Sequence, residues 1–265
     1  MRLGGPWLFV PGTQEPRFAK AHSAGASQVI VDWEDAVDPR DKDGARETTA
    51  RWLASSPPTW VRVNAASTEW YESDVAALER LDGLAGVVVP KAEDPGVLQH
   101  VGDRLARPVM ALVESARGLD RARELARTPA VVAIAFGSLD FAHDLHCAPT
   151  DRALLAARSE LVLASRLGDL VPPIDGVTAN VQDPQAAAAD ARLARELGFG
   201  GKLCIHPRQI APVRTAFAPS ESELSWARAV LAAAADTRGA VLGPDGEMID
   251  RPVIERAHAI LESTI

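Results

Sequence analysis

Ala111-Leu112-Val113-Glu114-Ser115 and Ile134-Ala135-Phe136-Gly137-Ser138-Leu139-Asp140 are two apolar runs that each reach a carboxylate. A strand covered on both faces reads as a continuous apolar run. An ionised carboxylate at its end is costly unless a cation or a hydrogen-bond donor meets it. Oxygen ligation by one or two carboxylates, completed by water and substrate, suits Mg²⁺. Glu114 and Asp140 are therefore expected to share one divalent ion at the mouth of a barrel. The alternative is that each acid caps a helix or pairs with an arginine. For Glu114 alone that alternative is preferable, and the repetition in neighbouring units favours the shared ion.

Outward from these runs the chain alternates strands with helical stretches. Strands are expected at Trp7–Val10, Val29–Asp35, Trp60–Asn64 and Gly86–Lys91. Four more follow at Val109–Val113, Val131–Phe136, Ile174–Val177 and Gly201–Pro207. Between them lie helical stretches: one with Pro16 in its first turn, then Asp41–Leu53, Tyr71–Leu81, one opening at Pro95, and Leu119–Ala126. Arg152–Leu167, Gln185–Leu197 and Gln209–Phe217 complete the set. Strands separated by helices of this length imply βαβ units and a parallel sheet. About eight such units match a (β/α)8 TIM barrel. An open dinucleotide-binding sheet lacks its fingerprint, because no G-x-G-x-x-G follows the first strand. The barrel is expected over residues 1–219.

Residues 220–265 are expected to form a C-terminal helical and lid extension. Ser220 and Glu223 are spaced as a capping box at the head of an Ala-rich helix reaching Ala235. Gly243-Pro244-Asp245-Gly246 is turn chemistry between two short apolar runs, and Pro252 opens a last helix, Val253–Leu261.

Composition narrows the function classes. Net charge is −8, from 36 acids against 28 Lys and Arg, with no long basic run. Such a chain is a poor candidate for nucleic acid or an anionic membrane. The two cysteines, Cys147 and Cys204, are neither a disulfide framework nor a zinc pattern, and a reducing compartment is expected. No apolar segment approaches the length of a signal peptide or a bilayer span, so a cytoplasmic protein is expected.

The polar residues Glu34, Asp35, Arg62, Asn64, Lys91, Glu114, Asp140 and His206 all fall at or just past the C-terminal ends of strands. In a TIM barrel that face carries the active site. Arg62 either pairs with Glu34 or Asp35 or holds a carboxylate or thioester oxygen as a fork. Lys91 reads as a charge-balancing residue, because Schiff-base chemistry would not need the carboxylate pair. His206 reads as a hydrogen-bonded structural histidine, Cys147 and Cys204 as packing, and Asp32 as a tie between neighbouring loops.

The segments Leu8-Phe9-Val10-Pro11-Gly12, Asp32-Trp33-Glu34-Asp35-Ala36-Val37, Arg62-Val63-Asn64, Val89-Pro90-Lys91, Val113-Glu114-Ser115-Ala116-Arg117-Gly118, Phe136-Gly137-Ser138-Leu139-Asp140 and Ile205-His206-Pro207-Arg208-Gln209 resemble the citrate lyase β-subunit family. That family lies within the HpcH/HpaI aldolase and citrate lyase superfamily. The resemblance implies a Mg²⁺-dependent barrel acting on the C–C bond of a 3-hydroxyacyl-CoA such as citryl-CoA or malyl-CoA. Glu114 and Asp140 match the family's metal ligands and Arg62 its substrate-binding arginine, with Glu34 and Glu114 also expected about the substrate. Phe9, Arg17 and Lys20 fall where relatives contact coenzyme A. Asp250 matches a lid aspartate that reaches a neighbouring subunit's site as acid or base. The resemblance thus implies a homo-oligomer, trimer or hexamer. Trp33 stands where Leu is usual and Ser115 where Thr is usual, and neither departure removes a charge. Competing activities are a malyl-CoA thioesterase or malate synthase, a pyruvate-class aldolase that uses no CoA, and a subunit that works only within a citrate lyase complex.

Overall fold

The computed structural model describes residues 3–79, 81–235, 241–242 and 248–262. Eight strands form a closed barrel in chain order. They are β1 (Gly5–Pro11), β2 (Gln28–Asp32), β3 (Thr59–Arg62), β4 (Leu84–Val89), β5 (Val109–Val113), β6 (Val131–Phe136), β7 (Ile174–Asp175) and β8 (Gly201–Cys204). Every neighbouring pair is parallel, and β1 closes the ring against β8. The helices between them are α1 (Glu15–Ser23), α2 (Lys42–Leu53), α3 (Tyr71–Leu78), α4 (Pro95–Leu105), α5 (Ala116–Asp120), α6 (Ala122–Ala126), α7 (Ser138–Asp144), α8 (Asp151–Leu167) and α9 (Pro184–Leu197). This is the TIM barrel expected from the sequence.

Local chemistry sets the helix starts. Asp94 caps α4 by accepting from Gly96 N, and Asp183 caps α9 by accepting from Gln185 N and Ala186 N. Each cap is followed by a proline in the first turn, where a missing N–H costs nothing.

Several strands stop earlier than their apolar runs suggest, and for one reason. At the barrel's C-terminal face, side chains replace the ladder as partners for the backbone. The Asp32 carboxylate accepts from Glu34 N at 3.0 Å and Ala36 N at 3.1 Å, which turns the chain where a strand to Asp35 was expected. Asn64 N donates to Asp74 Oδ2, closing off β3. Gln209 Oε1 accepts from Ile205 N and His206 N, closing off β8. The stretch expected as one helix over Leu119–Ala126 is resolved into α5 and α6, and α7 was not anticipated. Asp140 consequently sits in the first turn of α7 rather than at a strand end.

The chain separates into two compact units, Met1–Arg214 and Thr215–Ile265. α10 (Ile210–Phe217) precedes α11 (Glu221–Ala235), a two-stranded pair β9 (Val241–Leu242) and β10 (Met248–Ile249), and α12 (Arg251–Glu262). Ser220 and Glu223 make the reciprocal capping box at the head of α11. Ile249 is buried with Ala227, Val230 and Ala257 in the core of the second unit. The Gly243–Gly246 turn lies outside the described residues.

Candidate active site

An apolar plug fills the barrel. It includes Trp7, Ile30, Trp60, Leu112 and Leu203 from five different strands, with the Trp7 and Trp60 rings edge to face at 5.3 Å. Side chains two residues apart on a strand share a face. Two residues on from those plug residues stand Phe9, Asp32, Arg62, Glu114 and Ile205. All five line a cavity of about 420 Å³, which Asp35, Gly137 and Asp140 also line. The strand period therefore lifts three charged side chains, with Phe9 and Ile205 beside them, directly above the apolar plug.

Arg62 is the hub of that charged set. Its Nε donates to Asp32 Oδ1 and its Nη2 to Asp32 Oδ2, both at 2.7 Å, a bidentate pair. Its Nη1 lies 2.8 Å from Glu34 Oε2 and 3.3 Å from Asp35 Oδ2. The Glu34 contact is ionic in distance but lacks hydrogen-bond alignment. The guanidinium also lies 4.8 Å from the centre of the Phe9 ring. Burial works against the Arg62 charge, yet Asp32, by charge and hydrogen bonding, and then Glu34 and Asp35 hold its pKa above the ordinary value. Arg62 thus pairs with both acids named from the sequence, but its fork is taken by Asp32.

Burial pushes Glu34 up to about 8. Arg62 opposes this and Glu114, Asp35 and Asp32 reinforce it. The 2.8 Å contact with Arg62 argues for an ionised Glu34. That cation is already neutralised by the bidentate Asp32, however, so the upward direction stands.

Glu114 follows β5 and is buried. Its Oε1 accepts from Lys91 N at 2.8 Å. Lys91 holds a left-handed φ of 47°, a costly conformation for a residue with a Cβ. That turn is what aims its N–H at the carboxylate, and its side chain is exposed. Register sets Val113 of β5 against Phe136 of β6, which brings Gly137 beside Glu114. A Cβ on Gly137 would meet Glu114 Cβ and Oε2, both at 2.5 Å, so the absent side chain makes a cradle for this carboxyl. Burial raises Glu114 to about 7, with Arg62 opposing and Asp140 adding to the rise. Glu114 and Asp140 therefore interact across the cavity as like charges. Among the described residues no cluster of three or more His, Cys, Asp or Glu could hold a metal ion. Two carboxylates facing one cleft could hold Mg²⁺, an ion that takes one or two carboxylates and completes its shell with water and substrate.

The other expected residues are spread more widely. Phe9 lines the cavity, whereas Arg17 and Lys20 are exposed on α1 and Glu34 touches the site through Arg62. Asp250 belongs to the second unit, where its Oδ1 accepts from Val253 N at 3.2 Å as an N-cap of α12. His206 Nδ1 accepts from Arg208 N, a local capping role. Cys204 is buried, and burial raises its thiol to about 12. Two residues of weight carry no site role in the sequence reading: Asp32, which takes the arginine fork, and Lys42 beneath the β2 exit. Asp32 could have been found by counting two from Ile30.

The family profile described as HpcH/HpaI aldolase/citrate lyase matches residues 6–207. The chain belongs to that family. It is a family of carbon–carbon lyases. A citrate lyase subunit beta-like protein of Deinococcus radiodurans is 38% identical over 272 residues, covering 96% of this chain and 95% of the relative. A (3S)-malyl-CoA thioesterase of Cereibacter sphaeroides is 30% identical over 260 residues, covering 96% and 90%. A crystal structure of CitE from Mycobacterium tuberculosis in complex with magnesium, acetoacetate and coenzyme A superposes with a TM-score of 0.88. It is 35% identical and covers 99% of each chain. Among the described residues no helix is long and apolar enough to cross a membrane.

Proposed function

We propose that this chain is a Mg²⁺-dependent lyase that cleaves, or forms, the C–C bond of a 3-hydroxyacyl-CoA to give a keto acid and an acyl-CoA. The observation that carries this reading is one cavity lined by Glu114, Asp140 and the buried guanidinium of Arg62. The magnesium and coenzyme A of the similar CitE structure support it. Glu114 and Asp140 would hold the ion. When bound, Mg²⁺ supplies Lewis-acid polarisation of a chelated hydroxy- or keto-acid oxygen.

The chain's own residues do the rest. Arg62, locked in plane by Asp32, is assigned to offer its remaining Nη N–H donors to the enolate oxygen of the departing acyl thioester. Phe9, under that guanidinium, excludes water from it, and with Arg17 and Lys20 forms the coenzyme A contact. Glu34 completes the substrate side of the Arg62 network. Asp250 is assigned as the acid or base of an adjacent subunit's site in a homo-oligomer, a trimer or hexamer, within the cytoplasm.

The test is turnover of citryl-CoA and malyl-CoA by the purified chain alone, with keto acid release followed with and without EDTA. EDTA-sensitive keto acid release is expected. Free CoA with intact hydroxy acid would instead identify a thioesterase, a reading favoured by the 30% identical malyl-CoA thioesterase. Activity only with added carrier subunits would identify a non-autonomous subunit. Cleavage of a free hydroxy-keto acid without CoA would identify a plain aldolase.

A further inference from the structure

Lys42 opens α2 and is 5% exposed, a charge nearly removed from water. An ammonium has three donors and no acceptor. Lys42 Nζ spends them on Trp33 O at 2.7 Å, Glu34 O at 2.8 Å and Asn64 Oδ1 at 2.7 Å. Two of these acceptors belong to the turn after β2, and the third lies just past β3. Trp33 O and Glu34 O flank the segment that sets Glu34, and Asn64 follows Arg62 by two residues. One cation thus ties together the two loops whose side chains form the Asp32–Arg62–Glu34 network.

The second anchor lies one turn along the same helix. Arg46 Nε donates to Asp74 Oδ1 at 2.7 Å. Asp74 Oδ2 in turn accepts from both Asn64 N and Asn64 Nδ2, each at 2.7 Å. Asn64 is therefore held so that its Oδ1 is offered to Lys42. With its three protons engaged, Lys42 has no lone pair for proton abstraction or imine formation, so the arrangement is that of a brace.

We propose that Lys42 is a positioning residue that fixes the β2 and β3 exits against each other, and so aligns Arg62 with Asp32 and Glu34 for the reaction. Only the kinetic part of this inference rests on the lyase reading. The alignment itself stands on the hydrogen-bond geometry.

The experiment compares Lys42→Met and Lys42→Gln with the wild-type chain by amide hydrogen exchange and by steady-state kinetics on the CoA thioester that the wild type cleaves. In Lys42→Met, amides of residues 33–37 should exchange about tenfold to a hundredfold faster, the scale of one lost hydrogen bond to a charged donor. Peptides from β5 and β6 should be unchanged. The kcat should fall about tenfold or more with KM within about twofold, the pattern of an interaction needed in the transition state. Lys42→Gln, which keeps an N–H donor, should recover part of both effects, and it decides the matter if the Met variant does not fold. Unchanged exchange at residues 33–37 overturns the proposal. So does loosening spread evenly over the barrel, or a loosened loop with normal kcat. A wild-type chain that cleaves no CoA thioester refutes the lyase reading, and the exchange measurement alone then judges Lys42.

Discussion

Replacing Arg62 by lysine keeps the charge and removes the fork. The guanidinium makes two bonds of 2.7 Å to separate oxygens of Asp32 and lies 4.8 Å from the Phe9 ring centre. A lysine ammonium can satisfy one of those oxygens. One hydrogen bond between charged groups is worth about 1.5–3 kcal/mol, and the stacked cation about 0.5–1 kcal/mol more. Asp32 keeps its donors Glu34 N and Ala36 N, so the loss stays below that of a bare buried charge. The expected cost is about 2–4 kcal/mol. Urea unfolding of wild type, Arg62→Lys, Asp32→Asn and the double variant reads it directly. The cycle should return a coupling of about 2 kcal/mol between the two positions. Turnover of the CoA thioester should fall about 10²–10³-fold, as for loss of one oxyanion donor. Stability within about 0.5 kcal/mol of wild type, the range of an unremarkable surface change, would refute the reasoning. So would a coupling of zero.

Glu34 is raised to about 8 when folded, from 4.5, so between those values the folded chain binds the extra proton. Stability from this group is complete below the unfolded value and is lost as pH rises through the folded one, by up to about 5 kcal/mol. Glu34→Gln, with no charge at any pH, should flatten that decline in unfolding measured from pH 5 to 9. Gly137→Ala carries no φ penalty at −85°, but the added Cβ should displace Glu114 at both its Cβ and its carboxyl and lower stability. Calorimetry should then show Mg²⁺ binding weakened about 10–100-fold, as for other lost supports of a metal ligand. Glu114→Ala and Asp140→Ala should each abolish Mg²⁺ binding with far-ultraviolet circular dichroism unchanged, and retained binding would remove that residue from the metal site. Asp250→Asn preserves the oxygen that caps α12, so stability should hold while turnover falls about 10²–10⁴-fold. Mixing those chains with Glu114→Ala chains should restore activity if the site is shared between subunits.

The barrel could be read from the sequence because its strands are buried on both faces and appear as unbroken apolar runs, such as Val109–Val113. β7 was the faintest of them, and only Ile174–Asp175 pairs. The strand ends were harder to place. Apolar residues such as Val63 and Val89 do not show where the ladder hands its N–H groups to Asp32, Asp74 or Gln209, because an apolar pattern does not mark which nearby side chain will accept them. The same limit hid Lys42. A lysine at a helix start reads as a solvated charge, and its three acceptors lie 8 to 22 residues away. Asp32 was visible as a strand acid, but its role needed the period-two count from Ile30. The short helix α7 escaped because Gly137 breaks the apolar run before the helical spacing can declare itself.

Four carboxyls, those of Asp32, Asp35, Glu114 and Asp140, line the cavity together with the single guanidinium of Arg62. To a keto-acid anion approaching from solvent, that wall is a fence rather than a receptor. With every group ionised that lining carries a net −3, and a dication reduces it to −1 while placing a positive centre in the cleft, where charges act over most of its width because water screens them poorly. On the proposed lyase reading, the cation is expected to enter first, or to escort the anion as a neutralised pair. Without a divalent ion, adding salt should help the anion in; with one present, that salt effect should shrink.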